Sequence, residues 1–143
     1  MKKLAFLILP FLLLTSYSLA ESFGNFQGAV YIRNYDGDTI TFNLPGLHPI
    51  IGEKISIRVN GIDTPEIRGK CEKEKYDAKQ VKEMVADILK DAERINLKNM
   101  ERGKYFRIVA DVYADGENIA DILIESGMAV RYDGGTKTKD WCE

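Results

Sequence analysis

Two short stretches of strict alternation constrain this chain most. From Thr39 to Leu44, the residues Ile40, Phe42 and Leu44 stand against Thr39, Thr41 and Asn43. From Lys54 to Asn60, the residues Ile55, Ile57 and Val59 stand against Ser56, Arg58 and Asn60. A period of two sends one set of side chains into a core and the other toward water, so both stretches read as half-buried strands. Phe26 to Arg33, centred on Ala29-Val30-Tyr31-Ile32, reads as a strand before them, and Asp36-Gly37-Asp38 as the turn between. Pro45-Gly46-Leu47-His48-Pro49 breaks the chain, and His48, with no partner motif, reads as a loop residue.

The period then changes. Between Glu72 and Lys90, the residues Val81, Met84, Val85, Ile88 and Leu89 follow helical spacing, with charged residues opposite. Ala92 to Leu97 and Tyr105 to Tyr113 read as further strands, Ala114-Asp115-Gly116 as a turn, and Glu117 to Ser126 as a short helix. Gly127 is placed to cap that helix, and Met128 to Tyr132 reads as one more short strand. The fold class is mainly β with inserted helices (α+β). Closing such a sheet on itself gives a small barrel, and the five-stranded oligonucleotide-binding (OB-fold) barrel takes an inserted helix.

Residues 1–20 read as an address. Lys2 and Lys3 precede an apolar run from Leu4 to Leu14, and the segment ends in Ser18-Leu19-Ala20. A basic start, a short apolar core and small terminal residues make a secretory signal peptide. The run is short for a bilayer span and contains Pro10, although an uncleaved anchor is the alternative. The expected organisation is a signal peptide over 1–20 and one domain over 21–143, exported to the periplasm or secreted, with no stable membrane association after cleavage.

Export gives Cys71 and Cys142, the only two cysteines, their meaning. In an oxidising compartment they point to a disulfide, with two unpaired thiols as the alternative. A bridge would close a loop of about 70 residues, stabilising by roughly 4 kcal/mol in the chain-entropy account. The chain carries a formal charge of −2, and the leader contains two lysines and no acid, so the remainder is more acidic still. Coating nucleic acid by bulk positive charge is excluded, and an anionic substrate needs locally placed cations.

Asp36-Gly37-Asp38-Thr39 and Asp63-Thr64-Pro65-Glu66 each set two acids at a strand end. Singly they are ordinary turn and capping chemistry. Together they suit a hard cation such as Ca²⁺, which takes carboxylate, carbonyl and water oxygens. An EF-hand is excluded, because Ile40 and Leu47 stand where ligands are required. Arg58 and Arg107 each offer a planar fork suited to phosphate, or else a surface ion pair. Trp141, Tyr132 and Tyr35 suit either base stacking or packing under the tail.

These motifs in this order resemble the staphylococcal nuclease (thermonuclease) family. The resemblance runs from about Gly28 to Tyr132. It rests on the Asp36-Gly37-Asp38-Thr39 turn, on Arg58 ahead of Asp63-Thr64-Pro65-Glu66, and on Lys104-Tyr105-Phe106-Arg107. Tyr113-Ala114-Asp115-Gly116 and Gly127-Met128-Ala129 extend it.

The resemblance implies the family's OB-fold barrel and a Ca²⁺-dependent endonuclease cutting DNA and RNA, single strands preferred, to leave 3′-phosphate ends. Asp38, Asp63 and the Thr64 carbonyl would be Ca²⁺ ligands, and Asp36 would act behind them through water. Glu66 would orient or deprotonate the attacking water. Arg58 and Arg107 would bind the phosphate, and Lys104 and Tyr105 a neighbouring phosphate or sugar. A monomer is expected.

Three departures accompany the resemblance. Phe106 takes the place of the Gly common before this arginine. The loop after Glu66 is short. The chain ends soon after Tyr132, without the last helix of the family's prototype, and a Cys71–Cys142 bridge is expected to tie the tail down instead. A non-catalytic nucleic-acid or protein-binding module on the same fold is the rival reading, disfavoured by the full set of Asp38, Asp63, Glu66, Arg58 and Arg107.

Overall fold

The structure is a computed structural model and describes residues 22–143; the expected signal segment lies outside the described residues. The element order is β1 (Phe26–Gln27), β2 (Val30–Asn34), β3 (Thr39–Asn43), α1 (Pro49–Gly52), β4 (Ile55–Val59), β5 (Ile62–Asp63) and α2 (Glu72–Asp91). Then follow β6 (Ile95–Arg102), a 3₁₀ turn (Lys104–Phe106), β7 (Ile108–Ala114), β8 (Glu117–Asn118), α3 (Ile119–Glu125) and β9 (Val130–Arg131).

The main sheet runs β1-β6-β7-β4-β3-β2, with β8 on β7. Its pairings are antiparallel except β4 with β7, which is parallel with Arg58 opposite Val109. The expected strand Phe26–Arg33 is divided at Gly28, whose φ of 74° turns the chain where other residues are strained. The division closes the barrel. β1 pairs with β6 at one edge of the sheet, while β2, three residues on, pairs with β3 at the other. Segment 26–34 thus acts as one bent strand, and with β3, β4, β7 and β6 it makes the five-stranded OB-type barrel.

Alternation delivers the core as expected. Ile40 and Phe42 of β3, Ile57 and Val59 of β4, Leu97 of β6 and Val112 of β7 are buried inside. Val81, Val85 and Leu89 of α2, with Ile119 and Leu123 of α3, complete the core. Burying a side chain such as Phe42 contributes about 1.5–3 kcal/mol, and its truncation to Ala would cost about 3–5 kcal/mol. Gly127 caps α3 as expected: its N–H donates to the Ile124 carbonyl, and that of Met128 to the Leu123 carbonyl. These two bonds are those of a Schellman motif.

Three local readings need correction. The segment around His48 is more than a break: His48 Nδ1 accepts from the Ile50 N–H at 3.3 Å and caps the one-turn helix α1. The strand expected over Ala92–Leu97 begins at Ile95 and continues to Arg102. The strand expected from Tyr105 begins at Ile108, because Tyr105 and Phe106 both sit at φ 58°, outside the extended region. Phe106 therefore adopts the backbone conformation for which Gly is suited.

Candidate active site

The Asp36-Gly37-Asp38 turn joins β2 to β3 and is built around one carboxylate. Asp36 Oδ1 accepts from the N–H groups of Asp38 (3.2 Å) and Thr39 (2.8 Å), while the Tyr35 N–H donates to the Thr39 carbonyl. A Cβ on Gly37 would stand 2.8 Å from a Val81 methyl and 2.9 Å from the Thr64 methyl. Only glycine lets the turn lie this close to α2 and to the Asp63-Thr64 segment. Burial raises the Asp36 pKa, and the hydrogen bonds from Thr39 partly oppose that rise.

Asp38 is 3% exposed and fully engaged. Its Oδ1 accepts from Thr39 Oγ1 at 3.1 Å, and its Oδ2 from Thr64 N–H at 3.3 Å and Thr64 Oγ1 at 3.0 Å. Arg58 Nη1 forms an ion pair with Asp38 Oδ1. Arg58 Nη2 also donates to the Ile62 carbonyl at 2.9 Å, so the guanidinium spans from β4 to β5. Burial lowers its pKa, opposed by the charges of Asp36 and Asp63.

The two-stranded sheet of β5 and β9 fixes Asp63, pairing it with Val130. Asp63 is 2% exposed, and both its oxygens meet the C-terminal tail. Trp141 Nε1–H donates to Oδ2 at 3.2 Å. Lys137 Nζ lies 2.7 Å from Oδ1 without hydrogen-bond alignment, leaving that buried oxygen an ionic neighbour but no hydrogen bond. Lys137 also meets Glu66 Oε1 at 2.5 Å. Partial burial works to lower the Lys137 pKa, but the Asp63 and Glu66 carboxylates outweigh it and raise the pKa. Glu66 itself is largely open to solvent, its side chain 54% exposed.

Asp36, Asp38, Arg58, Glu66 and Arg107 converge on one cleft, whereas Asp63 lines an adjoining one with Tyr132 and Lys137. A cleft of about 450 Å³ is lined by Asp36, Asp38, Thr39, Arg58, Glu66 and Arg107, with Tyr35, Tyr132 and Lys137. A neighbouring cleft of about 360 Å³ shares Arg58, Arg107 and Tyr132, and adds Lys104. Lys104 Nζ donates to the Gly134 carbonyl at 3.4 Å. Tyr105 is not brought to either cleft. It is 90% exposed and lines an apolar groove with Ile50, Ile51 and Phe106. The left-handed turn at 105–106 directs it there.

Sequence reasoning missed Lys137 and Glu74, and it marked Trp141 for stacking or packing rather than for Asp63. Lys137 and Trp141 reach Asp63 only because the tail folds back, and Glu74 underlies the Glu66 loop, with its Oε2 accepting from the Lys70 N–H at 2.8 Å. The signal available for the tail was Cys142 beside Trp141. The Cys71–Cys142 disulfide is present, with Cα atoms 6.0 Å apart, and it fastens the tail to the N-cap of α2.

The donors suit a hard cation in kind, being buried anionic oxygens of which one, Asp63 Oδ1, lacks a hydrogen bond and already faces an ammonium. In this arrangement Arg58 and Lys137 supply the positive charge that buried carboxylates require. Among the described residues, the one set of three potential ligands gathered within 4.8 Å is Cys71, Glu74 and Cys142. Its sulfurs are bonded to each other, so they are not thiolate ligands.

A family model described as staphylococcal nuclease homologue matches residues 56–141. The chain is also 29% identical over 97 residues to Staphylococcal-like nuclease CAN1 of Arabidopsis thaliana. That match covers 64% of this chain and 27% of the relative, so the chain corresponds to about a quarter of that protein. With the barrel and the matched segment from Ser56 to Trp141 in agreement, the chain belongs to the staphylococcal nuclease homologue family.

Proposed function

We propose that this protein is an exported, monomeric, Ca²⁺-dependent endonuclease acting on DNA and RNA, with single strands preferred and 3′-phosphate products. The observation that carries the reading is convergence. Two guanidiniums, Arg58 and Arg107, and one solvent-accessible carboxylate, Glu66, line the same cleft as the buried Asp36 and Asp38. A phosphodiester is anionic and gains charge as it is attacked, so cations aimed at its oxygens stabilise the transition state more than the ground state. Arg58 is pre-aimed by Asp38 and the Ile62 carbonyl, and Arg107 enters from the start of β7 on the parallel neighbour of β4.

Glu66 is exposed and held by a displaceable ammonium, so it is free to accept a proton from water or to orient it. Asp38 and Asp63, with the Thr64 carbonyl, would hold Ca²⁺, and Asp36 would support them through water. The ion supplies Lewis-acid polarisation of the phosphate and charge neutralisation when bound. Lys104, which lines the neighbouring cleft, would take a neighbouring phosphate. Export is supported by Lys2-Lys3, the apolar run and Ser18-Leu19-Ala20, and by the disulfide, which suits an oxidising compartment.

The deciding experiment incubates the chain from Glu21 onward with single-stranded DNA, in millimolar Ca²⁺ or in chelator, with Glu66→Ala as control. Cleavage only with Ca²⁺, lost in the variant and leaving 3′-phosphate ends, is the expected result. Binding without cleavage of DNA or RNA overturns it in favour of a binding module.

A further inference from the structure

The loop that presents Glu66 is closed onto a second carboxylate that lies outside the cleft. Glu74, in the first turn of α2, is 8% exposed. Its Oε1 accepts from the backbone N–H of Glu66 at 3.3 Å and its Oε2 from that of Lys70 at 2.8 Å. The Gly69 N–H donates to the Glu66 carbonyl at 2.8 Å, completing the turn. Gly69 passes so near that a Cβ there would stand 2.4 Å from the Glu74 carboxyl carbon.

The arrangement departs from ordinary capping. A glutamate three residues into a helix commonly turns back to the N–H of the cap residue. Here Cys71 Sγ accepts from the Glu74 N–H at 3.4 Å, and the Glu74 side chain reaches past the cap to the two loop amides. Hydrogen bonds to a charged acceptor are the strong class, and the Glu74 carboxylate that accepts both is itself buried. With its backbone fixed at that N–H, Glu66 can vary its carboxylate position only through its own side-chain torsions.

We propose that Glu74 is the positioning residue of Glu66: it sets where the carboxylate stands over the cleft without touching substrate or metal. The proposal rests on the reading of Glu66 as the group that handles the attacking water. An amide in place of the Glu74 carboxylate turns an NH₂ toward one of the two N–H groups and leaves it unpaired.

The test places Glu74→Gln and, separately, Gly69→Ala in the chain from Glu21 onward, each with Glu66 intact and with Glu66→Ala. Gly69→Ala displaces the same carboxylate from the loop side. With Glu66 intact, kcat on single-stranded DNA falls roughly tenfold to a hundredfold, the cost of a misplaced group, while KM stays within about twofold. In the Glu66→Ala background the same changes alter the residual rate by less than about twofold, because the effect passes through Glu66. Amide hydrogen exchange in Glu74→Gln quickens at Glu66 and Lys70 but not at Val85 and Leu89 in the body of α2. An equal loss in both backgrounds, or unchanged exchange at Glu66 and Lys70, overturns the proposal. If the unmodified chain cleaves nothing, the reading of the cleft fails, and the exchange result still decides whether Glu74 holds the loop.

Discussion

One half of the cleft is held by the barrel and the other by loop and tail. Asp36, Asp38, Thr64 and Arg58 lie at strand ends, are buried or nearly so, and bond to one another and to backbone. Glu66, Lys137 and Trp141 stand on irregular chain: Lys137 reaches Glu66 across 71 residues, Trp141 reaches Asp63 across 78, and one disulfide tethers the tail that carries both. A site built on strands is rigid without help, whereas one built on loops needs supporting contacts to hold its geometry. The same cleft uses both, keeping its charged floor fixed and its exposed carboxylate adjustable.

The sharpest way to separate the halves is to cut the tether. Reduction of Cys71–Cys142, or Cys142→Ser, is expected to remove about 4 kcal/mol, lowering the melting temperature by roughly 15 °C. Calorimetry with a reductant shown by mass to open the bridge checks this; an unchanged transition would mean the tail needs no tether. Next come Glu66→Ala, Arg58→Lys and Arg107→Lys, each expected to cut turnover at least about a hundredfold, roughly 2.7 kcal/mol of barrier, in a folded protein. Near-normal turnover in any one of them removes that residue from the mechanism.

Gly37→Ala probes the barrel-held half alone. The added methyl meets Val81 and Thr64, and overpacking of this kind costs about 1–3 kcal/mol, read by urea denaturation. Lys137→Met probes the tail-held half. Removing an ammonium 2.7 Å from Asp63 should tighten Ca²⁺ binding about fivefold by titration calorimetry, the scale of a partly exposed ion pair. The smallest effect is expected at Tyr105, which faces the Ile50–Ile51 groove: Tyr105→Ala should change KM by less than about twofold. A larger rise in KM would show that the 104–106 turn swings toward substrate.

The division also follows what could be read from sequence. Asp36-Gly37-Asp38-Thr39 and Arg58 were legible because their contacts are local or lie across adjacent strands whose alternation fixes the register. The core stripe of α2 was legible for the same reason, since periodicity encodes which face is buried. Glu74 was not singled out, because on the sequence it is one acid among many on a charged helix start. Lys137 and Trp141 meet Asp63 through a fold-back that no periodicity describes. The turn at Tyr105–Phe106 reads as strand on the sequence because aromatic residues favour strands, a preference overridden there by two left-handed residues.

The parallel pairing of β4 with β7 has a kinetic consequence. Arg58 and Arg107 are neighbours because Ile57 and Ile108 are paired across a crossover that includes all of α2 and β6. Closing so long a loop is entropically expensive before any contact rewards it, so such pairings are expected to form late in folding. A chain shortened before Arg107 carries the β2–β3–β4 segment with Asp36, Asp38, Arg58, Asp63 and Glu66, yet it has no second arginine to set beside the first. The charge pair that would meet a phosphate therefore comes into being only with barrel closure, and a nascent or partly unfolded chain is without it.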